Sequence, residues 1–381
     1  MSRFLLDITD SQLALIAGDS IIQSPGAALS GSDPISGRNN ETGLTFGQVV
    51  FETLKRRPLE TRTDFWAQLS TVPLNTEFAG ARHSADLVYE HLKFVFAEAE
   101  RVSGTINDLV IIAPSSVSQA QLELLLGILN ALDRTPSAIL DRALVHQHLI
   151  GKAGLHLDLQ WRQMLATEVA LENGELVVGK SSAIPGSGYL DLLEQCLEHC
   201  ADMCVEQTRF DPRRSADAEQ LLFNAIPEAL ATLSRHEEAA LSVNGYDFKV
   251  SRSGLEFVGK RLMAAVQGNP GAVSVDGLLG GLPGVSFDST ASQTTLSEAA
   301  EQILSVRAPD AELSRISHAQ VKHSSVIESQ GVTVEPVETA RGPMAKARSN
   351  DSVVAPTGNL TGPTHILIDA QAYSIATQSA E

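Results

Sequence analysis

The sequence predicts an α/β protein of two successive lobes, residues 1–150 and 151–348, followed by a linker and a strand or hairpin in residues 349–381. Three observations carry this expectation. A strand ending in an acid opens each half, at Phe4–Asp7 and again at Gly154–Asp158. Further strands follow each opening across tight polar turns, and apolar runs then alternate with stretches of helical periodicity. Last, Ser349–Pro363 is low in complexity and sets the final apolar residues apart from the rest.

In the first half, Phe4–Ile8, Leu13–Ala17 and Ile21–Ile22 are divided by Asp10-Ser11 and Gly18-Asp19, the pattern of three strands joined by turns. Ser24–Thr42 reads as a Pro/Gly/Ser-rich loop. Gly47–Lys55 and Ser84–Arg101 read as helices, the second with Leu87, Val88, Leu92 and Val95 on one face. The apolar run Leu109–Ala113 stops at Pro114; a helix over Gln119–Leu132, a strand at Ala138–Leu140 and a helix over Arg142–Ile150 follow. Strand-helix alternation of this kind predicts parallel strands.

The second half repeats the cycle. Gly154–Leu159, Met164–Leu171 and Glu175–Ser182 are strands, the last two joined around Asn173-Gly174. Tyr189–Phe210 and Ala216–Leu233 are helices, Val243–Val250 is β-like around Asn244-Gly245, and Ser253–Ala265 is helical. The strand Ala272–Asp276 runs into the glycine-rich Gly277–Gly284. Ser286–Ser297 reads as a Ser/Thr-rich surface loop, Ala340–Ala347 as a helix, and His365–Asp369 with Tyr373–Ile375 as a final hairpin.

Composition narrows the function. There are 46 acidic residues against 28 Lys+Arg, a formal net charge of −18, which opposes binding to nucleic acid because phosphates are neutralised by basic side chains. Hydrophobic residues make up 43% of the chain, enough for a buried core. The N-terminus lacks the basic start and apolar run of a secretory signal. No stretch approaches the roughly 18 apolar residues of a membrane span. A cytoplasmic protein with no membrane partner is expected. Cys196, Cys200 and Cys204 lie on one helical stripe with His199 among them. They are either a metal or redox site or small hydrophobes beside Leu192, Leu193 and Leu197; without a turn and a second ligand pair, burial is favoured.

Phe4–Ala17, Val110–Ser116 with its helix, Leu155–Leu171, Thr208–Leu230, Val273–Gly284 and the helix Ala340–Ala347, taken in this order, resemble the actin/Hsp70 superfamily, closest to degenerate bacterial Hsp70-like proteins. The resemblance spans about residues 3–348. It implies a two-lobed actin-like ATPase (ribonuclease H-like) fold, in which two loops hold phosphate and Mg²⁺, each just after a strand. The family's first loop reads Asp-x-Gly-Thr; here it is Asp7-Ile8-Thr9-Asp10, with an acid where a hydroxyl faces phosphate. The second reads Asp-x-Gly-Gly-Gly-Thr; here Asp158-Leu159-Gln160-Trp161-Arg162-Gln163 has no glycine and a bulky ring. Gly277, Gly280 and Gly281 ahead of Pro283 look like the family's adenosine-side turn, with Leu313–Ile316 as a rival for that place.

The resemblance therefore assigns Asp7, Thr9, Asp158, Gly277, Gly280 and Gly281 to a vestigial ATP site, with no catalytic residue and no metal ligand. The cofactor is expected to be none, or ATP/ADP with Mg²⁺ if the site is competent. The expected function is a pseudo-ATPase that binds protein partners as a scaffold. An ATP-binding Hsp70-like ATPase is the alternative, and a sugar or acid kinase a third reading, disfavoured because its donor phosphate meets Asp10 and Trp161. Residues 349–381 are too few for the peptide-binding domain of an Hsp70. Their hairpin is suited to adding a strand to a sheet.

Overall fold

The computed structural model describes residues 3–31, 43–266, 271–290, 292–306, 313–321, 365–368 and 371–374. Met1–Ser324 form one compact unit and Ser325–Glu381 a second. In the first unit β1 (Phe4–Ile8), β2 (Gln12–Ala17) and β3 (Ser20–Pro25) make an antiparallel meander. A small sheet of β4 (Ala28–Ser30), β5 (Leu44–Thr45) and β6 (Thr61–Arg62) follows, with the one-turn helix α1 (Gln48–Phe51) inside it. After the hairpin β7 (Pro73–Phe78) and β8 (Ala81–His83) come α2 (Ser84–Ser103), β9 (Leu109–Ala113), α3 (Gln119–Ala131), β10 (Pro136–Asp141) and α4 (Arg142–Ile150).

The next meander is β11 (Gly154–Leu159), β12 (Gln163–Glu172) and β13 (Glu175–Pro185). Then follow α5 (Tyr189–Thr208), α6 (Ala216–Leu233), the hairpin β14 (Glu238–Val243) and β15 (Tyr246–Ser251), α7 (Arg252–Ala264), β16 (Ala272–Val275), β17 (Ser289–Thr290) and α8 (Gln293–Ser305). The short strands β18 (Arg315–Ile316) and β19 (His318–Gln320) close the unit. In the second unit, β20 (His365–Ile368) and β21 (Gln371–Ser374) form an antiparallel hairpin in the register His365↔Ser374.

The two large sheets share one plan. Their strand orders are β18-β10-β9-β1-β2-β3 and β17-β16-β11-β12-β13-β19. In each, the opening strand of the meander is central and runs parallel to the strands that come later, β1 with β9 and β11 with β16. β18 extends the first sheet beside β10, and β19 extends the second beside β13, so one short segment straps the edges of both.

Helices cover both faces of the first sheet, which is why β1, β9 and β10 are apolar almost throughout. Phe4, Leu6 and Ile8 pack toward α2 and α3, and Leu5 packs with Val110, Leu140, Leu144 and Leu296 on the other face. Helix α4 also touches the second sheet, through Val169 and Leu176, and so lies between the two.

Several elements differ from the sequence expectation. Ser286–Ser297 is not a loop: it holds β17 and the start of α8, where the Ser292 side chain accepts from the Thr295 N–H at 3.2 Å. The polar first turn hides the buried face Leu296, Ala299, Ala300 and Ile303. Gly47–Lys55 holds only one helical turn, and Ser24–Thr42 contains β4 before passing beyond the described residues at 32–42. The β-like stretch begins earlier than Val243, because Ala239, Leu241 and Val243 alternate inward along β14. The β7–β8 hairpin has no counterpart in the sequence reading. Ala340–Ala347 and Ser349–Pro363 lie outside the described residues. Among the described residues no helix is long and apolar enough to cross a membrane.

Candidate functional site

The C-terminal ends of β1, β11 and β16 converge on the N-terminus of α4. Asp7 ends the polar side of β1, Asp158 does the same on β11, and Asp276 follows β16 directly. Helix α4 begins at Arg142, after Asp141, whose side chain caps it by accepting from the Ala143 N–H at 3.0 Å. A cation in the first turn opposes the helix dipole. Here the three carboxylates offset that cost.

Arg142 Nε donates to Asp7 Oδ1 at 2.8 Å and Nη2 to Asp7 Oδ2 at 3.3 Å. Its Nη1 donates to Asp158 Oδ1 at 2.8 Å and lies 3.1 Å from Asp276 Oδ2. All four side chains are at most 7% exposed. Nη1 also reaches His156 Nε2 at 3.4 Å. Since a guanidinium only donates, that nitrogen accepts, and Nδ1–H points to Ser274 Oγ at 3.0 Å.

The electrostatics follow from burial. Burial raises the Asp158 carboxyl to about 7 against the pull of Arg142, with Asp276, Asp7 and Asp10 adding repulsion. Asp276 is raised for the same leading reason. Burial works against the charge of Arg142, but Asp7, Asp158 and Asp276 together hold its pKa well above the ordinary value. His146 stacks on His156 with ring centroids 4.1 Å apart. Burial first, and the nearby charge of Arg142 with it, keeps both neutral. Neither ring nitrogen of His146 has a partner among the described residues.

The turns that follow β1 and β11 bind each other. Asp10 Oδ1 accepts the Trp161 backbone N–H at 2.8 Å, and Ser11 Oγ donates to the Leu159 carbonyl at 2.6 Å. The Trp161 indole donates to the Gly26 carbonyl at 3.0 Å and its ring is 1% exposed. Gly26 has to be glycine, because a Cβ there would stand 1.8 Å from the Asp10 carbonyl oxygen. The carbonyls of Gln160 and Trp161 in turn accept the first two N–H groups of α5, from Tyr189 and Leu190.

The same seam is closed by apolar packing. Ala27, Leu29, Val50 and Phe51 of the first half belong to the core of the second, with Phe51 and Phe223 ring centroids 5.0 Å apart. Gln220 clamps this insertion: its Oε1 accepts the Lys55 N–H at 2.5 Å and its Nε2 donates to the Phe51 carbonyl at 3.1 Å. Lys55 also pairs with Glu194 and, at 3.3 Å, with Glu219.

The sequence-predicted residues fall in different places. Asp7, Thr9 and Gly277 border one cavity of about 240 Å³, together with Arg142, His146 and Asp276. Asp158 joins them through Arg142. Gly280 and Gly281 lie further along the turn: the Gly280 N–H goes to the Asp276 carbonyl at 3.3 Å, and Gly281 faces the end of α6, 3.7 Å from the Leu230 carbonyl oxygen to a built Cβ. The rival stretch Leu313–Ile316 contributes β18 to the far edge of the first sheet.

Arg142, Asp276 and His156 escape the sequence reading. Asp276 carried a usable signal, a third acid at a strand end. Arg142 carried a weaker one, a basic residue at the unfavourable end of a helix. The cysteines line the core face of α5, and burial pushes the Cys196 and Cys200 thiols up to about 12. No group of metal-ligating side chains is assembled among the described residues. No protein-family model and no curated protein matches the chain.

Proposed function

We propose that the protein is a two-lobed actin/Hsp70-like module that does not turn over ATP and acts through protein contacts, its cation and phosphate positions being filled by its own side chains. The strand order repeated in the two large sheets supports the two-lobed reading. The functional part rests on Arg142. On this reading the guanidinium bound by Asp7, Asp158 and Asp276 takes the place of the water shell of Mg²⁺, and a metal ion entering there has to displace it. Asp10 complements it as the anion: its carboxylate takes a backbone N–H of the second loop, the kind of donor that phosphate uses in this family. Phe51 and Trp161 add that opening the two halves exposes a shared core.

An ATP-binding protein without a peptide-binding domain is the second reading. The cavity of about 240 Å³ beside Asp7, Thr9 and Gly277 favours it. Isothermal titration with ATP and Mg²⁺ separates the two. The expected result is no binding heat; micromolar binding with hydrolysis would overturn the pseudo-ATPase reading. The proposed protein partner is sought by pull-down with the full chain and with residues 349–381 removed. Loss of a partner on truncation would place its contact on the C-terminal hairpin, and unchanged capture would place it on the first unit.

A further inference from the structure

A second cavity, of about 140 Å³, borders Asp10 and shares no lining residue with the first. Trp66, Leu69 and Leu125 supply much of its apolar wall, and Asp10, Ser116 and Gln160 enter as polar groups. The amide and the hydroxyl are spoken for: Gln160 Nε2 meets Ser116 Oγ at 3.4 Å, and Gln160 Oε1 accepts from Gln163 at 2.7 Å. Asp10 differs from them. It is 8% exposed, it accepts from the Trp161 backbone N–H, and no basic side chain among the described residues is ion-paired to it; Arg162 acts on it only through space.

A buried carboxylate without a cation is costly unless it takes up a proton or a partner of opposite charge arrives, so the partner competes best where the carboxyl is ionised. The cavity limits that partner by size. An apolar cavity of about 150 Å³ accommodates a molecule the size of benzene. One compact apolar body with a donor-rich cationic head satisfies both the walls and the carboxylate.

We propose that this cavity binds a small primary amine with a compact apolar body, its ammonium group against Asp10 and its body between Trp66, Leu69 and Leu125. The cavity shares no lining residue with the one beside Arg142, but its carboxylate is the Asp10 that the proposed function sets in the phosphate position, so amine and nucleotide are tested apart.

The chain's two tryptophans report on it directly, since Trp66 lines the cavity and Trp161 donates its backbone N–H to Asp10. Intrinsic fluorescence of the full chain is titrated at pH 8, where Asp10 is ionised and the amine still protonated, with benzylamine and, as the neutral isostere, with benzyl alcohol. The expected result is a saturable change at millimolar benzylamine and a preference over the alcohol of about tenfold, the value of one charge-assisted hydrogen bond. Asp10→Asn should bring the two ligands level. Leu125→Phe, which fills the apolar end, should abolish both responses while the far-ultraviolet circular dichroism is unchanged. No saturable response, equal affinity for the two ligands, or a preference that survives Asp10→Asn overturns the proposal. ATP with Mg²⁺ is titrated separately, so a nucleotide signal would count against the proposed function and leave the amine site standing.

Discussion

Asp10 accepts the backbone N–H of Trp161 at 2.8 Å, so the turn after the opening strand of one sheet is bonded to the corresponding turn of the other. Read from the sequence, each residue looks like an isolated lesion, an acid and a bulky ring in places that suit a hydroxyl and a glycine. In the fold they are complementary.

This contact predicts a pH signature. Burial raises Asp10 from 3.8 to about 7. A carboxyl raised on folding imposes a penalty that is absent below its unfolded value, grows between about 4 and 7, and is complete above 7. The buried histidines, lowered on folding, act in the opposite sense below their ordinary value, so the informative quantity is the difference between two proteins. Asp10→Asn should be more stable than wild type at pH 8, by on the order of 2–4 kcal/mol, and the gap should close toward pH 4. Urea unfolding at pH 8, 6 and 4 measures it; an unvarying gap would refute the burial argument.

Arg142→Ala leaves three buried carboxylates facing one another. The expected loss is about 3–5 kcal/mol of stability, partly recovered as the pH falls and Asp158 and Asp276 protonate. Under the proposed function, millimolar Mg²⁺ should raise the melting temperature of Arg142→Ala and leave wild type unaffected. A Mg²⁺ shift in wild type would contradict the idea that the guanidinium already fills the cation position.

Much of the fold is legible in the sequence because its signals are local. The meanders at Phe4 and Gly154 announce themselves through alternation and Gly turns, and the strand-end acids Asp7 and Asp158 fall where that alternation puts them. The centre of the site is not local. Arg142 lies far along the chain from Asp7, and nothing near Arg142 tells which carboxylates it will meet. Helix α8 is missed for another reason: its first turn is Ser, Gln and Thr, and its apolar period starts only at Leu296.

His91 illustrates a Ser–His pair that is structural. The Trp66 indole donates to His91 Nδ1 at 3.0 Å, so the neutral ring carries its proton on Nε2 and gives it to Ser24 Oγ at 2.7 Å. Burial lowers His91 to about 3, and the ring stacks on Phe46. The serine is thus a recipient of a hydrogen bond and is not activated as a nucleophile. His91→Phe should cost on the order of 2–6 kcal/mol by stranding both partners, and a fluorophosphonate probe should leave Ser24 unlabelled. Labelling at Ser24, seen by mass spectrometry, would reverse the assignment.

Cys196 and Cys200 are buried with thiols near 12. Iodoacetamide at pH 8 should modify neither in the native protein and both in urea. Rapid native labelling would show that the α5 face opens.

Phe51→Ala removes a ring that joins the two halves. The expected cost is about 3–5 kcal/mol, and limited proteolysis should then cut between β5 and β6 sooner than in wild type. An unchanged cleavage rate would mean that Gln220 and Lys55 hold the segment without the ring.

The insertion of Val50 and Phe51 into the core of the second half also has a meaning in time. A ribosome releases these residues long before it makes Phe223, Trp161 and Leu193, the surfaces that cover them. The first half therefore leaves the exit tunnel with an apolar finger whose covering surfaces are made only later.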